Sequence, residues 1–237
     1  MDWLVQLLDS NQIFTTSTVL HYWDGLVVTV QLVFISLIIG LVLSLPLAIL
    51  RTHRNPWINR PIWAYTYVFR GTPLLIQLYL IYYGVTYIPG IQESVFWFIM
   101  KDALYPALLA FVLNTAAYTT EILRGAIVAT PMGEIEAARA YGMNFSKTMR
   151  RIVLPSAFRR ALPAYSNEVI FMLHASAIAS TVTIIDLTGA AKDVYSQHYA
   201  PFEAFTFVGA IYLCLTFSIL FLFKRLEKNL LAHLAER

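Results

Sequence analysis

Residues Pro131 to Arg160 read "PMGEIEAARAYGMNFSKTMRRIVLPSAFRR", a polar and basic stretch set in a chain that is 58% hydrophobic. Its composition is not that of a disordered linker. "GEIEAARAYG" is dense in Ala and Glu, both good helix formers, and it closes on Gly142, a residue suited to ending a helix. A second helix is predicted from about Asn144 to Ile152, ended by Pro155. The stretch therefore reads as a short helix–turn–helix, with Ala137, Ala138 and Ala140 on its first helix and Gly142 at the turn. Such small residues let another surface approach the backbone closely. A solvated hairpin joining two larger elements would carry the same composition.

What flanks this insert decides the fold class. Charged residues make up 13% of the 237 positions and aromatic residues 14%, whereas a soluble domain carries about a quarter charged residues. So few charges cannot cover a water-facing surface, and lipid is the indicated solvent. A helix needs about 20 mainly apolar residues to cross a bilayer. Five stretches qualify: Leu26 to Leu50, about Thr72 to Ile88 with a lead-in from Pro61, about Tyr105 to Val128, about Ala164 to Leu187, and about Phe205 to Phe223. Helices satisfy their own backbone groups in lipid, and "LVFISLIIGLVLSL" lacks the period-two alternation of an outer-membrane strand. The expected fold is an all-α membrane protein with five transmembrane helices.

Charge sets the orientation. Of the 17 Lys and Arg, only Lys101 and Lys192 fall on one side, and Arg70 stands at the start of the second span. The others, from Arg51, Arg54 and Arg60 through the Pro131–Arg160 insert to Lys224, Arg225, Lys228 and Arg237, gather on the opposite side. The positive-inside rule then places the N-terminus outside and the C-terminus in the cytoplasm, with Trp23, Trp63 and Trp97 near the interfaces. The opening "MDWLVQLLDSNQIFTTS" lacks a basic n-region, so it reads as an interfacial or short surface helix with Trp3, Leu4, Leu7 and Leu8 on one side rather than as a cleavable signal. The lone Cys214, inside an apolar run, excludes an internal disulfide and is expected to be a buried, inert thiol. No Gly-x4-Gly-Lys-Ser/Thr loop occurs, and no metal, nucleophilic or nucleic-acid-binding constellation is visible. The chain is expected to be no enzyme, with no catalytic residue and no bound cofactor.

The insert also carries a resemblance. Glu136-Ala137-Ala138, three residues, Gly142, nine residues, Ile152, one residue and Leu154-Pro155 resembles the EAA loop of binding-protein-dependent ABC importer permeases. "FRGTPLLIQLYLIYYG" (Phe69 to Gly84), "LNTAAYTTEILRGAI" (Leu113 to Ile127) and "LPAYSNEVI" (Leu162 to Ile170) extend the likeness along nearly the whole chain. They resemble the polar-amino-acid branch, and within it the M-type subunits of histidine/lysine/arginine/ornithine permeases. The resemblance implies one transmembrane domain over residues 1–237 with a MetI-like permease fold and an N-terminus in the periplasm. It makes residues 131–160 a cytoplasmic coupling loop, in which Glu136, Ala137, Ala138, Arg139, Ala140 and Gly142 dock on a partner ATPase. The implied assembly is a heterodimer with a Q-type permease paralogue, two copies of a cytoplasmic ABC ATPase holding ATP and Mg, and a periplasmic solute-binding protein, in the bacterial inner membrane. The implied cargo is a cationic amino acid (arginine, lysine, ornithine or histidine), another polar amino acid, or an opine. An ion-coupled secondary transporter is the contrasting class, but such folds carry more spans and an internal repeat.

Ionisable groups inside spans are candidate functional residues. Glu168 lies about one turn into the fourth span with no Lys or Arg between Arg160 and Lys192. It is expected either to meet a cationic substrate or to reach Arg70 or Arg160. Asn114, Tyr118 and Glu121 are spaced i, i+4, i+7 and share a helical face; Asn114, with Thr115 beside it, either contacts substrate or ties two helices together. Glu121 is expected to pair with Arg124 at i+3. "HASAIAS" (His174 to Ser180) departs from the Lys-Asp/Asn-Thr/Ser-Ser-Leu stretch of many relatives. An ideal helix turns His174 about 120° from Glu168, so His174 and Ser176 join a common site only if the helix unwinds there. Asp186 reads as an outer-gate residue or a helix cap, and Arg70, in the Arg70-Gly71-Thr72-Pro73 break, as a gating partner of Glu168 or Glu121.

Overall fold

Thr16–Arg51 forms one long helix, α1, with Pro46 inside it. The computed structural model describes residues 13–231; Trp3, Leu4, Leu7 and Leu8 of the expected surface helix, and Arg237, lie outside the described residues. Asn55 starts α2 (Pro56–Gly71) by accepting the Trp57 backbone N–H on its side chain at 3.0 Å, a standard N-cap. α3 (Leu74–Gly84) follows the Pro73 break and tightens into a 3-10 turn, Val85–Tyr87. A second 3-10 turn (Ile91–Glu93), the short α4 (Val95–Met100) and the long α5 (Leu104–Val128) come next. The insert contributes α6 (Met132–Ala140) and α7 (Phe145–Thr148), then a π-helical turn, Met149–Val153, that runs into α8 (Leu154–Ala175). A 3-10 segment, Ser176–Thr181, leads to α9 (Leu187–His198) and α10 (Pro201–Leu231).

Three of these helices, α1, α5 and α10, are long and apolar enough to cross a bilayer among the described residues. They match the first, third and fifth predicted spans. The second span is corrected: Leu74–Tyr87 is apolar but short, because Pro73 prevents α2 and α3 from fusing. The fourth is corrected at both ends, since α8 begins ten residues before Ala164 and its α-helical part stops at Ala175. The small residues of "SAIAS" hold the chain weakly, and it tightens to 3-10 geometry there. Pro155 does not end a helix either. The π turn widens its hydrogen bonds, with Leu154 N–H donating to the Met149 carbonyl, so Pro155 falls in a first turn where its missing N–H is tolerated.

The described chain packs as two units, 13–36 with 74–111 and 171–217, and 37–73 with 112–170 and 218–231. In the first, Tyr22 packs among Leu187, Ala190, Ala191, Val194, Ala204 and Val208 and donates its hydroxyl to the Ala204 carbonyl at 3.3 Å. In the second, the core is Ala48, Leu123, Ala126, Ile127, Val153, Ala157 and Ala161. Both cores are rich in alanine, and small residues let helices approach closely where lipid supplies no hydrophobic drive between them. Gly40 shows how close: a Cβ there would stand 2.4 Å from the Thr115 Cγ2, so α1 fixes the position of Thr115. Cys214 is exposed rather than buried. Little of α10 is covered by the rest of the chain, and an apolar run in a spanning helix faces lipid as readily as core.

Candidate functional site

In the second unit the polar face of α5 meets the C-terminal half of α2. Asn114 donates its amide to the Phe69 carbonyl at 3.4 Å, and Tyr118 donates its hydroxyl to the Arg70 carbonyl at 3.3 Å. Thr66 donates to Glu121 Oε1 at 2.9 Å. The three residues share one face as their spacing requires, and that face ties two helices together. Glu121 also accepts from Arg124 Nε on Oε2 at 2.6 Å and from Arg51 Nε on Oε1 at 3.0 Å. Arg51 in turn donates to Asn59. The Glu121–Arg124 pair was legible at i+3; Arg51, Thr66 and Asn59 carried no sequence signal, because the partners converge from segments far apart along the chain.

Glu168, on α8 of the same unit, is 5% exposed. Thr115 donates its hydroxyl to Glu168 Oε1 at 2.8 Å. Among the described residues no Lys or Arg forms an ion pair with it. Arg160, one expected partner, donates to the Thr130 hydroxyl at 2.8 Å instead. Arg70 pairs with neither glutamate: its guanidinium lies 5.3 Å from the centre of the Tyr118 ring, an attraction between cation and aromatic face. Glu121 is already filled by its two other arginines, which removes Arg70 from that role.

In the first unit, the chain tightens to 3-10 geometry only from Ser176, so α8 stays helical through His174 and the unwinding that would turn His174 toward the face of Glu168 does not occur. His174, exposed in the last turn of α8, shares a hydrogen bond of 2.9 Å with the Thr216 hydroxyl. Ser176 is buried and donates to the Leu173 carbonyl at 2.7 Å. Lys192 donates to the Ser180 hydroxyl at 2.8 Å, bracing the 3-10 segment against α9. Thr183, just beyond it, holds a left-handed φ of 65°, a strained conformation for a β-branched residue. Asp186 is buried and caps α9, accepting the Gly189 backbone N–H at 2.8 Å.

The insert ends its first helix as its sequence requires. Gly142 adopts φ +73°; its N–H reaches the Arg139 carbonyl at 2.9 Å, and the Met143 N–H reaches the Ala138 carbonyl at 3.0 Å. Of the three alanines, Ala138 is buried and offers no surface, a correction to the expectation that all three face a partner. Glu136, Ala137, Arg139, Ala140 and Gly142 are exposed, and Tyr141 (86%) and Phe145 (75%) stand out beside them. Ile135, Arg139, Met143, Phe145 and Met149 line a cavity of about 220 Å³ next to this elbow.

Comparison with known proteins bears on this arrangement. The family described as binding-protein-dependent transport system inner membrane component matches residues 36–231. The octopine transport system permease protein OccM of Rhizobium radiobacter is 45% identical over 214 residues, 90% of this chain and 87% of that one. The histidine/lysine/arginine/ornithine transport system permease protein HisM of Escherichia coli K12 is 47% identical over 214 residues, 90% of both chains. A crystal structure of an amino acid ABC transporter with histidines superposes with a TM-score of 0.78 at 34% identity, covering 88% of this chain and 94% of that one.

Proposed function

The chain belongs to the binding-protein-dependent inner-membrane transport components, and from that premise we propose that it carries cationic L-amino acids as the permease subunit of an ABC importer. At the coarser level it is an inner-membrane permease for polar amino acids or opines, a transport component rather than an enzyme. The narrower reading is arginine, lysine, ornithine and histidine. Glu168 carries it: a carboxylate buried on α8, hydrogen-bonded by Thr115 and without an ion-pair partner among the described residues, suits a positive charge arriving from outside. Asn114, Thr115 and Tyr118 stand nearest to that role along α5, while His174 and Ser176, in the other unit, keep their own bonds to Thr216 and Leu173.

The exposed elbow, residues 131–160, is the coupling loop in this reading. A partner ATPase holding ATP and Mg grips Glu136, Ala137, Arg139, Ala140 and Gly142, and its closure rocks the spans between two access states. The working assembly pairs this chain with a Q-type paralogue, two ATPase copies and a periplasmic binding protein. Five crossings follow from the five apolar stretches of the sequence, and the distribution of Lys and Arg places the N-terminus in the periplasm and the C-terminus in the cytoplasm.

Uptake of labelled arginine, lysine, ornithine, histidine and octopine by the whole transporter carrying Glu168→Gln tests the substrate. Loss of a buried charge partner is worth about 30-fold or more, and arginine uptake is expected to fall by that much. Equal arginine uptake before and after removes Glu168 from the path; loss confined to octopine favours the opine reading, to which the similarity with OccM also points. Gly142→Val tests coupling. A branched residue is strained at φ +73°, so ATPase binding and uptake fall together, whereas an ATP-independent carrier keeps its uptake.

A further inference from the structure

Where α1 leaves its apolar run, the chain turns through residues 52–55 and starts α2. A cavity of about 510 Å³ opens at this corner, lined by Arg51, Arg54, Asn59, Arg60 and Trp63, with no acidic residue in its wall among the described residues. A second cavity, of about 380 Å³, shares Arg60 with it and adds Trp57. The three arginines are not equivalent. Arg51 is spent on Glu121 and Asn59. Arg54 and Arg60 are exposed and, among the described residues, make no hydrogen bond or ion pair. Trp57 is 87% exposed, and Trp63 stacks on Tyr67 with ring centres 5.1 Å apart.

We propose that this corner is a binding site for the headgroup of an anionic phospholipid, with Arg54 and Arg60 holding the phosphate and Trp57 and Trp63 seated among the surrounding headgroups. Three observations converge on that occupant. The corner directly follows an apolar run long enough to span, so it lies at the level where headgroups are found. Exposed tryptophans favour that layer, their rings being apolar with one polar N–H. Two unpaired guanidiniums facing one concavity match a phosphate, which each binds through two parallel N–H donors. An acidic protein segment would share the charge complementarity but gives no reason for the exposed tryptophans.

The test is native mass spectrometry of the transport complex purified with its subunits and titrated with phosphatidylglycerol against phosphatidylcholine. A basic residue near an anionic surface contributes about fivefold in binding, so Arg54→Gln/Arg60→Gln is expected to lose about 30-fold in phosphatidylglycerol retention with phosphatidylcholine unchanged. Lys224→Gln/Arg225→Gln removes the same charge at the end of another span and is expected to lose severalfold less. Arg54→Lys/Arg60→Lys keeps the charge but loses the paired donors, and its retention is expected to fall between the parent and the Gln pair. Equal losses in the two Gln pairs, or a Lys pair as poor as the Gln pair, overturn the site. Unchanged lipid retention with release of the ATPase from Arg54→Gln/Arg60→Gln overturns it too, and assigns the corner to a protein partner.

Discussion

Glu121 and Glu168 lie in the same packing unit and meet opposite surroundings. Glu121 accepts from Arg51, Arg124 and Thr66 at once; Glu168 accepts from Thr115, and no Lys or Arg pairs with it among the described residues. Two carboxylates of one chemistry thus have two different capacities for a ligand. The first has no need of a further positive charge and no room for one. The second is held in place by a hydroxyl and has no guanidinium or ammonium in contact with it among the described residues, which costs free energy in a buried setting unless water or a cation reaches it. The partners assembled around each acid, more than its depth, separate a brace from a candidate site.

Glu121→Gln is the strongest way to break that contrast. Removing one member of a buried ion pair costs about 3–5 kcal/mol, and the half-screened Arg124 brings the expectation toward the lower figure, about 3 kcal/mol. Denaturant unfolding of the purified complex measures it, with Glu168→Gln as the companion variant. Glu168→Gln keeps an acceptor for Thr115 and removes an unpaired charge, so its stability stays within about 1 kcal/mol of the parent. If the two variants destabilise equally, the distinction between the acids is wrong.

Thr115→Val sharpens the other half. Valine keeps the shape that packs against Gly40 but withdraws the hydroxyl from Glu168. A hydrogen bond to a charged group contributes about 2 kcal/mol, and that is the expected loss of stability. Binding of arginine by the complex, followed by calorimetry, should weaken as well, since the carboxylate is no longer oriented. Unchanged stability would show that Thr115 does not hold Glu168 in place.

The spans that stand alone were legible from hydropathy: Leu26 to Leu50 lies within α1, and Tyr105 to Val128 differs from α5 by one residue. The fourth was not, because "LPSAFRRALP" is helical without being apolar, and a hydropathy window begins a helix only where the apolar residues begin. The small residues of "HASAIAS" marked a change in the helix, but it is a tightening to 3-10 geometry from Ser176 rather than the unwinding they allow. The end of α6 was equally readable, since Gly142 supplies the left-handed φ that closing the helix demands. Within the site, the shared face of Asn114, Tyr118 and Glu121 followed from helical spacing, but what that face touches did not. Arg51 reaches Glu121 across 70 residues of sequence, and no local pattern encodes so distant a pair. The same limit hid the partner of Glu168, for which Arg70 and Arg160 were both plausible and a threonine on α5 is observed.

Thr66→Val is the smallest test and the most discriminating. Thr66 is buried and contributes one of three donors to Glu121, and its hydroxyl also lies 3.1 Å from the Trp63 carbonyl of its own helix. After the substitution the carboxylate still holds Arg51 and Arg124, and valine fills nearly the same volume. The remaining guanidiniums compensate most of the lost bond, so the expected cost is about 1 kcal/mol, roughly half that of Thr115→Val. The two threonines are a matched pair: each is buried, each donates to a glutamate, and each becomes the same residue. They differ in how many partners the glutamate has left. Equal costs in denaturant unfolding would mean that the arginines around Glu121 do not compensate, and that its surroundings are no richer in effect than those of Glu168.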